Sequence, residues 1–384
     1  MQKKICHLCL VGPYNEGWNY QENILPKYHV HMGLKVYQIV TRYMWEGNDQ
    51  VLSNDKRYTN DFGVEIMRCS EKPFFIGGHR FDRHPDAKRF LEEINPDILF
   101  IHDVQTLDMK MVAKYLKSHP QCTVYADNHS DFSNSATNWL SKNILHKMIW
   151  RHTAHIINPY VKVFYGVLPA RVDFLTVVYK LPKEKCKLLV MGADDEYVEK
   201  ASDVEVRESI REKYNISKED FLIVTGGKID LFKTQTLLLM EAVKINRNKN
   251  IKLIVFGSIA DELKDKVSEL TDDDRVRYIG WVEAKETYPI FAASDLAVFP
   301  GRHSVFWEQA AGQGIPLVVK YWEGTTHVDR GGNVIFLHED SVEEISRVIA
   351  ELNKPDRYAL MKESAKNAAE YFKYSGIARR SIEG

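Results

Sequence analysis

Residues that could bind a phosphate and a ribose follow one another in a strand–turn–helix segment of the second half of the chain. The apolar run 296–299 leads into Pro300 and Gly301, after which Ser304 can cap a short helix. Free backbone N–H groups and the helix dipole favour a phosphate at such a helix start. The carboxylate of Glu308 comes one turn later, where it could accept hydrogen bonds from both hydroxyls of a ribose. This spacing predicts a site for a nucleoside diphosphate.

A glycine pair followed by two lysines offers the second piece of chemistry. The strand-like run 221–225 ends in Gly226-Gly227, and Lys228 and Lys233 follow. Glycines let the backbone approach a ligand, and two ammonium groups can neutralise a diphosphate as a bond to it breaks. Both lysines could instead be solvated surface residues. We favour the diphosphate role because they stand where a strand meets a helix.

Two further loops follow predicted strands, one in each half of the chain. Gly280-Trp281-Val282 could present backbone groups and an apolar wall to a base. In the first half, Gly12 follows the first strand and Asn19 lies near the start of the next helix. The glycine spacing there is not G-x-G-x-x-G, which argues against a dinucleotide oxidoreductase.

Two histidines also stand at the ends of predicted strands. His102 ends one strand, and His129 follows the next with Asp127 and Asp131 on either side, where both could orient its ring. All of them lie on the ligand side of a parallel sheet. A histidine there can bind a ligand or be a packed loop residue, and we favour the packed role for His102. We expect neither a metal nor another cofactor, because no further ligands appear at metal spacing.

Short apolar runs alternate with helical stretches along the whole chain. The predicted strands are 5–11, 35–40, 97–101, 122–126, 154–157 and 187–190 in the first half, and 221–225, 251–256, 276–279, 296–299, 317–319 and 334–336 in the second. This pattern predicts an α/β fold of two doubly wound domains, 1–195 and 196–370. A C-terminal helix, 371–384, could pack across their junction. Ligands bind beyond the carboxyl ends of such strands, so two facing domains would form an interdomain cleft.

The composition narrows the class of partner and the compartment. At 384 residues the chain exceeds the usual size of a single core. Its 52 basic and 53 acidic residues nearly cancel, which gives no general attraction to nucleic acid. The scattered cysteines are expected to be reduced, and the Cys6-x-x-Cys9 pair to be core packing in the first strand. No apolar run approaches a membrane span, so we predict a cytoplasmic protein that is peripheral to the membrane at most.

The order of these motifs resembles that of the retaining glycosyltransferases of family 4, whose GT-B architecture consists of two facing Rossmann-like domains. Gly227-Lys228 and Lys233 resemble that family's glycine-basic and lysine pair on the donor diphosphate. The run 308–316, Glu-Gln-Ala-Ala-Gly-Gln-Gly-Ile-Pro, resembles the element whose glutamate holds the ribose. Residues 191–194, Met-Gly-Ala-Asp, resemble the element that closes the first domain. The similarity covers essentially the whole chain.

The resemblance implies roles for single residues. It gives catalytic roles to Lys228, Lys233 and His129, the last because the family places a histidine at this strand end near the transferred sugar. The residues expected to bind the donor nucleotide are Gly227, Gly280, Trp281, Val282, Ser304, Val305 and Glu308. The residues expected near the donor sugar or acceptor are Gly12, Asn19, Asp127, Arg302 and His303.

One position departs from the family pattern. The family normally has a second glutamate, upstream of the ribose glutamate in a longer loop and bound to the donor sugar, where this chain has Pro300. Arg302 or His303 could take over part of its role. The pattern Pro-Gly-x-x-Ser-Val-x-Trp-x-Gln resembles a subgroup associated with bacterial surface-polysaccharide assembly.

The resemblance implies a metal-independent, retaining transferase that moves a sugar from a nucleotide diphosphate donor, UDP being the first choice. The acceptor would be a hydroxyl of a surface glycan in capsule, lipopolysaccharide or glycoprotein, free or lipid-linked. Two alternatives stay open. One is a sugar-nucleotide epimerase of the same architecture, and the other is a non-catalytic GT-B-like partner subunit. The retained Lys228, Lys233 and Glu308 speak against the second.

The segment 139–152 mixes aromatic residues with Lys142, Lys147 and Arg151. Such a helix could rest on the inner face of an anionic membrane and receive a lipid-linked acceptor. It could also be a core helix with a solvated basic edge.

Overall fold

Strands and helices alternate through both halves of the computed structural model, which describes residues 2–47, 49–73, 78–231, 233–272 and 274–384. The chain divides into two units. Unit 1 contains Met1–Val190 and Ile377–Gly384, and unit 2 contains Met191–Gly376. No helix of the described residues combines the length and the apolar character that crossing a bilayer requires.

Unit 1 is built on a largely parallel sheet. Its strands are β1 (Lys4–Cys9), β2 (Lys35–Thr41), β3 (Tyr43–Glu46), β4 (Asp49–Leu52), β5 (Arg57–Thr59), β6 (Glu65–Cys69), β7 (Ile98–His102), β8 (Thr123–Asn128), β9 (Val161–Gly166) and β10 (Cys186–Leu188). Eight of them form one sheet in the order β10-β9-β8-β7-β1-β2-β6-β5, while β3 and β4 pair separately. Only β5 runs antiparallel to its neighbour among the pairs of this sheet in the described residues.

The central strands of this sheet are buried because helices of unit 1 pack on its faces. These helices are α1 (Gln21–His31), α2 (Asp86–Ile94), α3 (Met109–Ser118), α4 (Arg151–Ile157) and α5 (Pro169–Val177), with a π-helical stretch, Ser141–Trp150, leading into α4. The order of the sheet reverses beside β1, which has β2 on one side and β7 on the other. Loops after β1 and β7 therefore diverge and leave room for a ligand.

The predicted strand at 154–157 is wrong. Ala154 and Ile157 lie in α4, and the strand of this region is β9. Both side chains are fully buried, and residues three apart can share one buried face of a helix. A short apolar run occurs in strands and in buried helices, so the spacing of its apolar residues does not distinguish the two.

Unit 2 repeats the architecture with a sheet whose pairs are all parallel. Its strands are β11 (Phe221–Gly226), β12 (Ile251–Phe256), β13 (Val276–Tyr278), β14 (Leu296–Phe299), β15 (Leu317–Lys320) and β16 (Val334–Leu337), in the order β13-β12-β11-β14-β15-β16. Each overlaps a predicted strand. The sheet order reverses at β11, which pairs with β12 and β14.

Helices cover the sheet of unit 2 and complete the chain. They are α6 (Asp195–Ala201), α7 (Val204–Lys213), α8 (Gln235–Ile245), α9 (Lys264–Leu270), α10 (Thr287–Ala293), α11 (Phe306–Gly312), α12 (Val342–Leu352), α13 (Pro355–Ala369) and α14 (Tyr374–Glu383). From Ile377 onward, α14 belongs to unit 1.

Candidate active site

A pocket of unit 2 opens at the carboxyl ends of β11 and β14, where the sheet order reverses. It brings together five of the residues predicted from the sequence, which are Gly227, Lys228, Lys233, Arg302 and Ser304. The first three follow β11, and the other two follow β14. Two distant segments therefore supply one site because parallel strands end at the same edge.

The glycine loop after β11 leaves the pocket side of the backbone open. Gly227 has a φ of +123°, and a Cβ added there would meet nothing within 4 Å. Its backbone N–H donates to the oxygen of Phe256 at 3.0 Å. A Cβ on Gly257 would lie 2.0 Å from the oxygen of Gly227, so the loop can take this position only beside a glycine.

Three basic side chains line this pocket, which we call the anion pocket because their charge suits an anion. Lys233 is partly buried, and burial lowers the pKa of its ammonium group, with the nearby Arg302 and Lys228 adding to the effect. Lys228 is 63% exposed and its Nζ lies 3.7 Å from the carboxylate of Asp230. Repulsion among the cations would be relieved by a bound polyanion such as a diphosphate.

The helix start beside this pocket differs in detail from the predicted cap. Helix α11 begins at Phe306, and the N–H of Trp307 donates to the backbone oxygen of Ser304 at 2.9 Å. The hydroxyl of Ser304 lies 3.5 Å from the N–H of Phe306, the limit of a hydrogen bond. The backbone of Ser304 therefore supports the helix start more than its side chain does. Val305 immediately precedes the helix and is outside the pocket lining.

Glu308 lies on α11, is fully buried and, like His303, is outside the pocket lining; two histidines hold its carboxylate. Its Oε1 accepts from Nε2 of His303 at 2.8 Å and from Nε2 of His327 at 2.7 Å. Burial alone would raise the pKa of the carboxyl, but the two imidazoles outweigh it and lower the pKa to about 2. Its other oxygen, Oε2, is buried without a hydrogen-bond partner among the described residues. Glu308 is thus held as a carboxylate with one buried oxygen that has no hydrogen-bond partner among the described residues.

The loop predicted to flank a base lies after β13, next to the glycine loop. Gly280 has a φ of +80°, and its oxygen accepts from the N–H of Gly257 at 2.8 Å. Trp281 is 70% exposed and Val282 is partly buried. These residues lie outside the pocket lining, although Gly257 touches both loops.

A second pocket, of about 210 Å³, opens in unit 1 where β1 and β7 end. Two predicted residues, Gly12 and His129, line it together with His102, Asp103 and Glu22. His102, which we assigned to packing, bonds within the core and also lines this pocket. Asn19 is partly buried, lies before α1 and is outside the lining.

Asp127 lies beneath the unit 1 pocket and joins two histidines. Its Oδ2 accepts from Nδ1 of His102 at 2.8 Å and lies 3.3 Å from Nε2 of His129. Burial lowers the pKa of His129, but the carboxylates of Asp127 and Asp103 outweigh it and raise the pKa to about 9. The same pairing lowers the pKa of Asp127 against the effect of its burial. His129 is therefore a cation whose ring is 26% exposed beside the pocket.

Asp131 does not orient His129 as predicted. Its Oδ2 accepts from Nε of Arg171 at 3.1 Å, and its Oδ1 accepts from the N–H of Ser133 at 2.6 Å. Sequence reasoning also missed His327, a single histidine in a loop after β15. Its partner Glu308 is on another element, so no local spacing indicated the pair.

Among the residues that the structure describes, two sets of ligand atoms could in chemical terms hold a divalent metal. They are His102, Asp127 and His129 in unit 1, and His303, Glu308 and His327 in unit 2, with the donor atoms of each set within 4.8 Å of one another. A set of two histidines and one carboxylate suits several transition metals. The hydrogen bonds and the ion pair of His129 with Asp127 equally account for both arrangements.

Comparison with known proteins agrees with the architecture of both units. Residues 220–354 match the family described as glycosyl transferases group 1. The chain is 24% identical over 231 residues to mannosylfructose-phosphate synthase of Agrobacterium fabrum, covering 56% of this chain. It spans half of that protein's length.

Solved structures extend the likeness over the whole chain. A glycosyltransferase from Rickettsia africae superposes with a TM-score of 0.72 at 13% identity, covering 100% of this chain and 97% of the other. Anabaena HepE in complex with UDP and glucose gives 0.68 at 15% identity, with 100% and 99% covered. The UDP-GlcNAc 2-epimerase of Neisseria meningitidis, bound to UDP-GlcNAc, gives 0.62 at 12% identity, with 99% and 98% covered.

These likenesses confirm the predicted GT-B fold class, with a Rossmann-like parallel sheet in each unit. The family match lies within unit 2, on the segment that carries β11 to β16 and the anion pocket. The chain therefore has the GT-B fold. Its match to glycosyl transferases group 1 lies within unit 2.

Proposed function

We propose that the protein is a retaining, metal-independent glycosyltransferase that moves a hexosyl group from a nucleoside diphosphate sugar to a hydroxyl group. The single observation that carries the proposal is the unit 2 pocket, where Lys228, Lys233 and Arg302 line a loop opened by Gly227. A diphosphate fits this concentration of positive charge. UDP is our first choice of nucleotide, in keeping with HepE, which was solved with UDP and glucose.

In this proposal the ribose lies near Glu308. The Oε2 atom of Glu308 is buried and has no hydrogen-bond partner among the residues the structure describes. We propose that it accepts from a ribose hydroxyl once the donor is bound. A buried acceptor left without a donor is costly, and ligand binding would remove that cost. His303 and His327 keep the carboxylate ionised for this task.

The transfer would rely on charge stabilisation and needs no protein nucleophile. The bond between the sugar C1 and the diphosphate oxygen breaks while the acceptor oxygen bonds to C1 on the same face. The acceptor proton passes to an oxygen of the leaving diphosphate. Lys228, Lys233 and Arg302 stabilise the negative charge that grows there, which is the main source of rate enhancement in such sites. His129, at the unit 1 pocket, would bind the transferred sugar.

Calorimetric titration of the full chain with UDP, GDP and ADP, with and without a divalent metal, tests the donor site. We expect one diphosphate to bind without metal and Lys233→Ala to weaken it by about tenfold or more, since a charged contact contributes about 1.5–3 kcal/mol. Lys249→Ala serves as the matched control, because that lysine follows α8 and lies outside the pocket. Binding of none of the three nucleotides would favour a non-catalytic partner subunit.

The likeness to the 2-epimerase makes a sugar-nucleotide epimerase the second candidate function. An epimerase converts the nucleotide sugar without any acceptor. Incubating the protein with UDP-glucose or UDP-GlcNAc alone and analysing the sugar separates the two. A new epimer formed from the donor alone would replace the transferase proposal.

We propose that the acceptor is a growing surface glycan and that the transfer takes place in the cytoplasm, at the inner face of the membrane. The helix after Asn138 supports membrane contact, because Trp139, Leu140 and Met148 are 71%, 64% and 60% exposed. Leu145 and Trp150 turn inward, so the helix has a packed face and an exposed apolar face. Lys142 and Lys147 beside the apolar face suit anionic lipids.

Sedimentation with vesicles tests this contact. We expect binding to phosphatidylglycerol vesicles that falls in the double variant Trp139→Ser, Leu140→Ser. Leu360→Ser is the control, since Leu360 is 74% exposed on α13. Equal vesicle binding by the wild type, the double variant and Leu360→Ser would show that this helix does not contact the membrane.

A further inference from the structure

An exposed tryptophan borders the anion pocket and has no part in the reaction proposed above. Trp322 follows β15 and is 41% exposed. Its Nε1 lies 3.4 Å from the oxygen of Gly301, which lines the anion pocket. Strands β14 and β15 are neighbours in the sheet, so the loops that follow them lie side by side at one edge. An aromatic ring therefore stands at the rim of the proposed diphosphate site.

The backbone of this loop is fixed by contacts that do not involve the indole ring. The N–H of Tyr321 donates to the oxygen of Leu337 at 2.8 Å, which continues the pairing of β15 with β16. The backbone oxygen of Trp322 accepts from the N–H of Thr325 at 3.1 Å and from the hydroxyl of Thr325 at 2.9 Å. A change of the Trp322 side chain is therefore expected to leave this turn in place.

The two neighbouring aromatic side chains of the loop differ in what they contact. The ring of Tyr321 stacks on His338 at a centroid distance of 5.0 Å and meets Phe336 edge-on at 5.9 Å. Trp322 contacts no other aromatic ring in the part of the chain that the structure describes, and its hydrogen bond is at the edge of the indole. Covering the ring of Trp322 with a ligand would be favourable, because it removes apolar surface from water.

The chemistry of a nucleotide sugar identifies an occupant for this place. The hexose is bonded to the outer phosphate, so it must lie beside the pocket that holds the diphosphate. We expect the base at the loop after β13, and the strand order β13-β12-β11-β14-β15 puts that loop and Trp322 on opposite sides of the anion pocket. The hexose is at the far end of the diphosphate from the base, which places it on the β15 side.

A hexose has the surface that an indole face binds. Its ring carries C–H groups that form an apolar face, while its hydroxyls point outward. Binding sites combine aromatic walls for such apolar faces with a few polar groups that fix orientation. In this chain Pro300 stands where the resembling family has a glutamate that binds the donor sugar, so a contact of another chemical kind is needed there.

We propose that Trp322 is a specificity-determining residue of the donor site and that its indole stacks on the hexose of the bound nucleotide sugar. This inference rests on the proposed function. It also deepens it, because a stacked ring distinguishes sugars by the C–H groups that they present on one face.

Paired calorimetric titrations of the full chain test the contact. One series uses UDP, UDP-glucose, UDP-galactose and UDP-GlcNAc, and the other uses GDP and GDP-mannose. The quantity compared is the affinity of each nucleotide sugar divided by that of its own nucleoside diphosphate. We expect Trp322→Ala to lower this ratio by roughly threefold to tenfold for at least one sugar and to leave the affinity for the nucleoside diphosphate unchanged.

Two further variants separate the ring from its surroundings. Trp45→Ala is the matched control, because Trp45 is 39% exposed on β3 and lies outside both pocket linings, so the ratio should not change. Trp322→Phe keeps an aromatic face but loses the Nε1 donor, and we expect it to keep most of the wild-type ratio. A phenylalanine variant as weak as Trp322→Ala would assign the effect to the bond with Gly301 and overturn the stacking.

Fluorine-19 NMR gives a second reading on the protein without a change at the site. The seven tryptophans are replaced by 5-fluorotryptophan, and the Trp322 resonance is the one absent from the spectrum of Trp322→Phe. We expect this resonance to shift with a nucleotide sugar and to shift much less with the nucleoside diphosphate alone. Equal shifts with the two ligands would place Trp322 against the nucleotide and overturn the inference.

The outcomes distinguish this inference from the proposed function. If a nucleoside diphosphate binds and Trp322→Ala leaves the ratio unchanged for every sugar, the inference is wrong and the donor site stands. If no nucleoside diphosphate binds the wild type, the proposed function fails and the hexose contact fails with it.

Discussion

At the scale of single residues, a carboxylate shared by two histidines recurs in both units. Glu308 is paired with His303 and His327, and Asp127 is paired with His102 and His129. In each case the imidazoles offset the burial of a carboxylate that would otherwise be protonated more easily. The two sites differ in the group that the pairing leaves over. In unit 2 it is the Oε2 atom of Glu308, and in unit 1 it is the cationic ring of His129.

The cation of His129 makes folding stability depend on pH. Its pKa is about 9 in the folded protein and 6.5 as the ordinary value. The unfolded chain loses this proton first, so the contribution is fully present below pH 6.5 and is lost as pH rises through 9. We expect the free energy of unfolding to fall across this range by roughly 1–3 kcal/mol more in the wild type than in His129→Gln. Urea unfolding of both proteins at several pH values measures the difference, and parallel pH profiles would contradict the raised pKa.

Glu308→Gln should weaken UDP binding by about tenfold or more, because a neutral amide accepts more weakly from a ribose hydroxyl than a carboxylate does. Calorimetric titration measures the loss. Glu344→Gln is the control, since Glu344 is a buried carboxylate outside the pocket lining that accepts from the N–H groups of His338 and Glu339. Equal weakening in both variants would indicate a general effect on folding.

At the scale of elements, the reversal of strand order places both pockets. Neighbouring strands β11 and β14 diverge into separate loops, as β1 and β7 do in unit 1. The loop after β11 packs closely against Gly257, and the missing Cβ of Gly257 allows Gly227 to take its position beside the pocket. The elements therefore position the pocket, and the glycines decide how near the backbone comes.

Gly257→Ala tests this packing. The new Cβ would lie 2.0 Å from the backbone oxygen of Gly227, so the loop must shift. Gly331 is the matched control because its φ of +127° is close to the +124° of Gly257, and a Cβ there meets nothing within 4 Å. We expect Gly257→Ala to cost about 1–3 kcal/mol more than Gly331→Ala in thermal unfolding, with weaker UDP binding as well. Equal costs would show that the backbone angle alone matters.

At the scale of the whole molecule, the two units carry different parts of the proposed reaction. The anion pocket and the family match lie in unit 2, and the pocket lined by His102 and His129 lies in unit 1. A nucleotide that binds only the folded protein stabilises it by mass action, by about 2.7 kcal/mol at a concentration of 100 Kd.

Hydrogen exchange with saturating UDP shows where that stabilisation acts. We expect the largest gain in protection at the ends of β11 and β14 and at the start of α11. The ends of β1 and β7 in unit 1 serve as the internal control. Larger protection in unit 1 than in unit 2 would contradict the donor site.

The sequence by itself determined the features that depend on a few neighbouring residues. Apolar runs marked all six strands of the unit 2 sheet but only β1, β2, β7, β8 and β10 of the eight in the unit 1 sheet. The segments around Gly227 and Glu308 indicated the region that we propose binds the nucleotide. Such features are local, because strand burial, helix starts and glycine turns are encoded within one element. The run at 154–157 shows the limit, since four apolar-rich residues suit a strand or one face of a helix.

Only the tertiary structure decided which side chains meet across elements. His327 reaches Glu308 from the loop after β15, and His7 and His29 join His102 from β1 and α1. These contacts depend on sheet order, register and helix placement, which no spacing along the chain expresses. A lone histidine within an apolar strand gives no sign of its partners, because its hydrogen bonds are fixed only when the core closes around it.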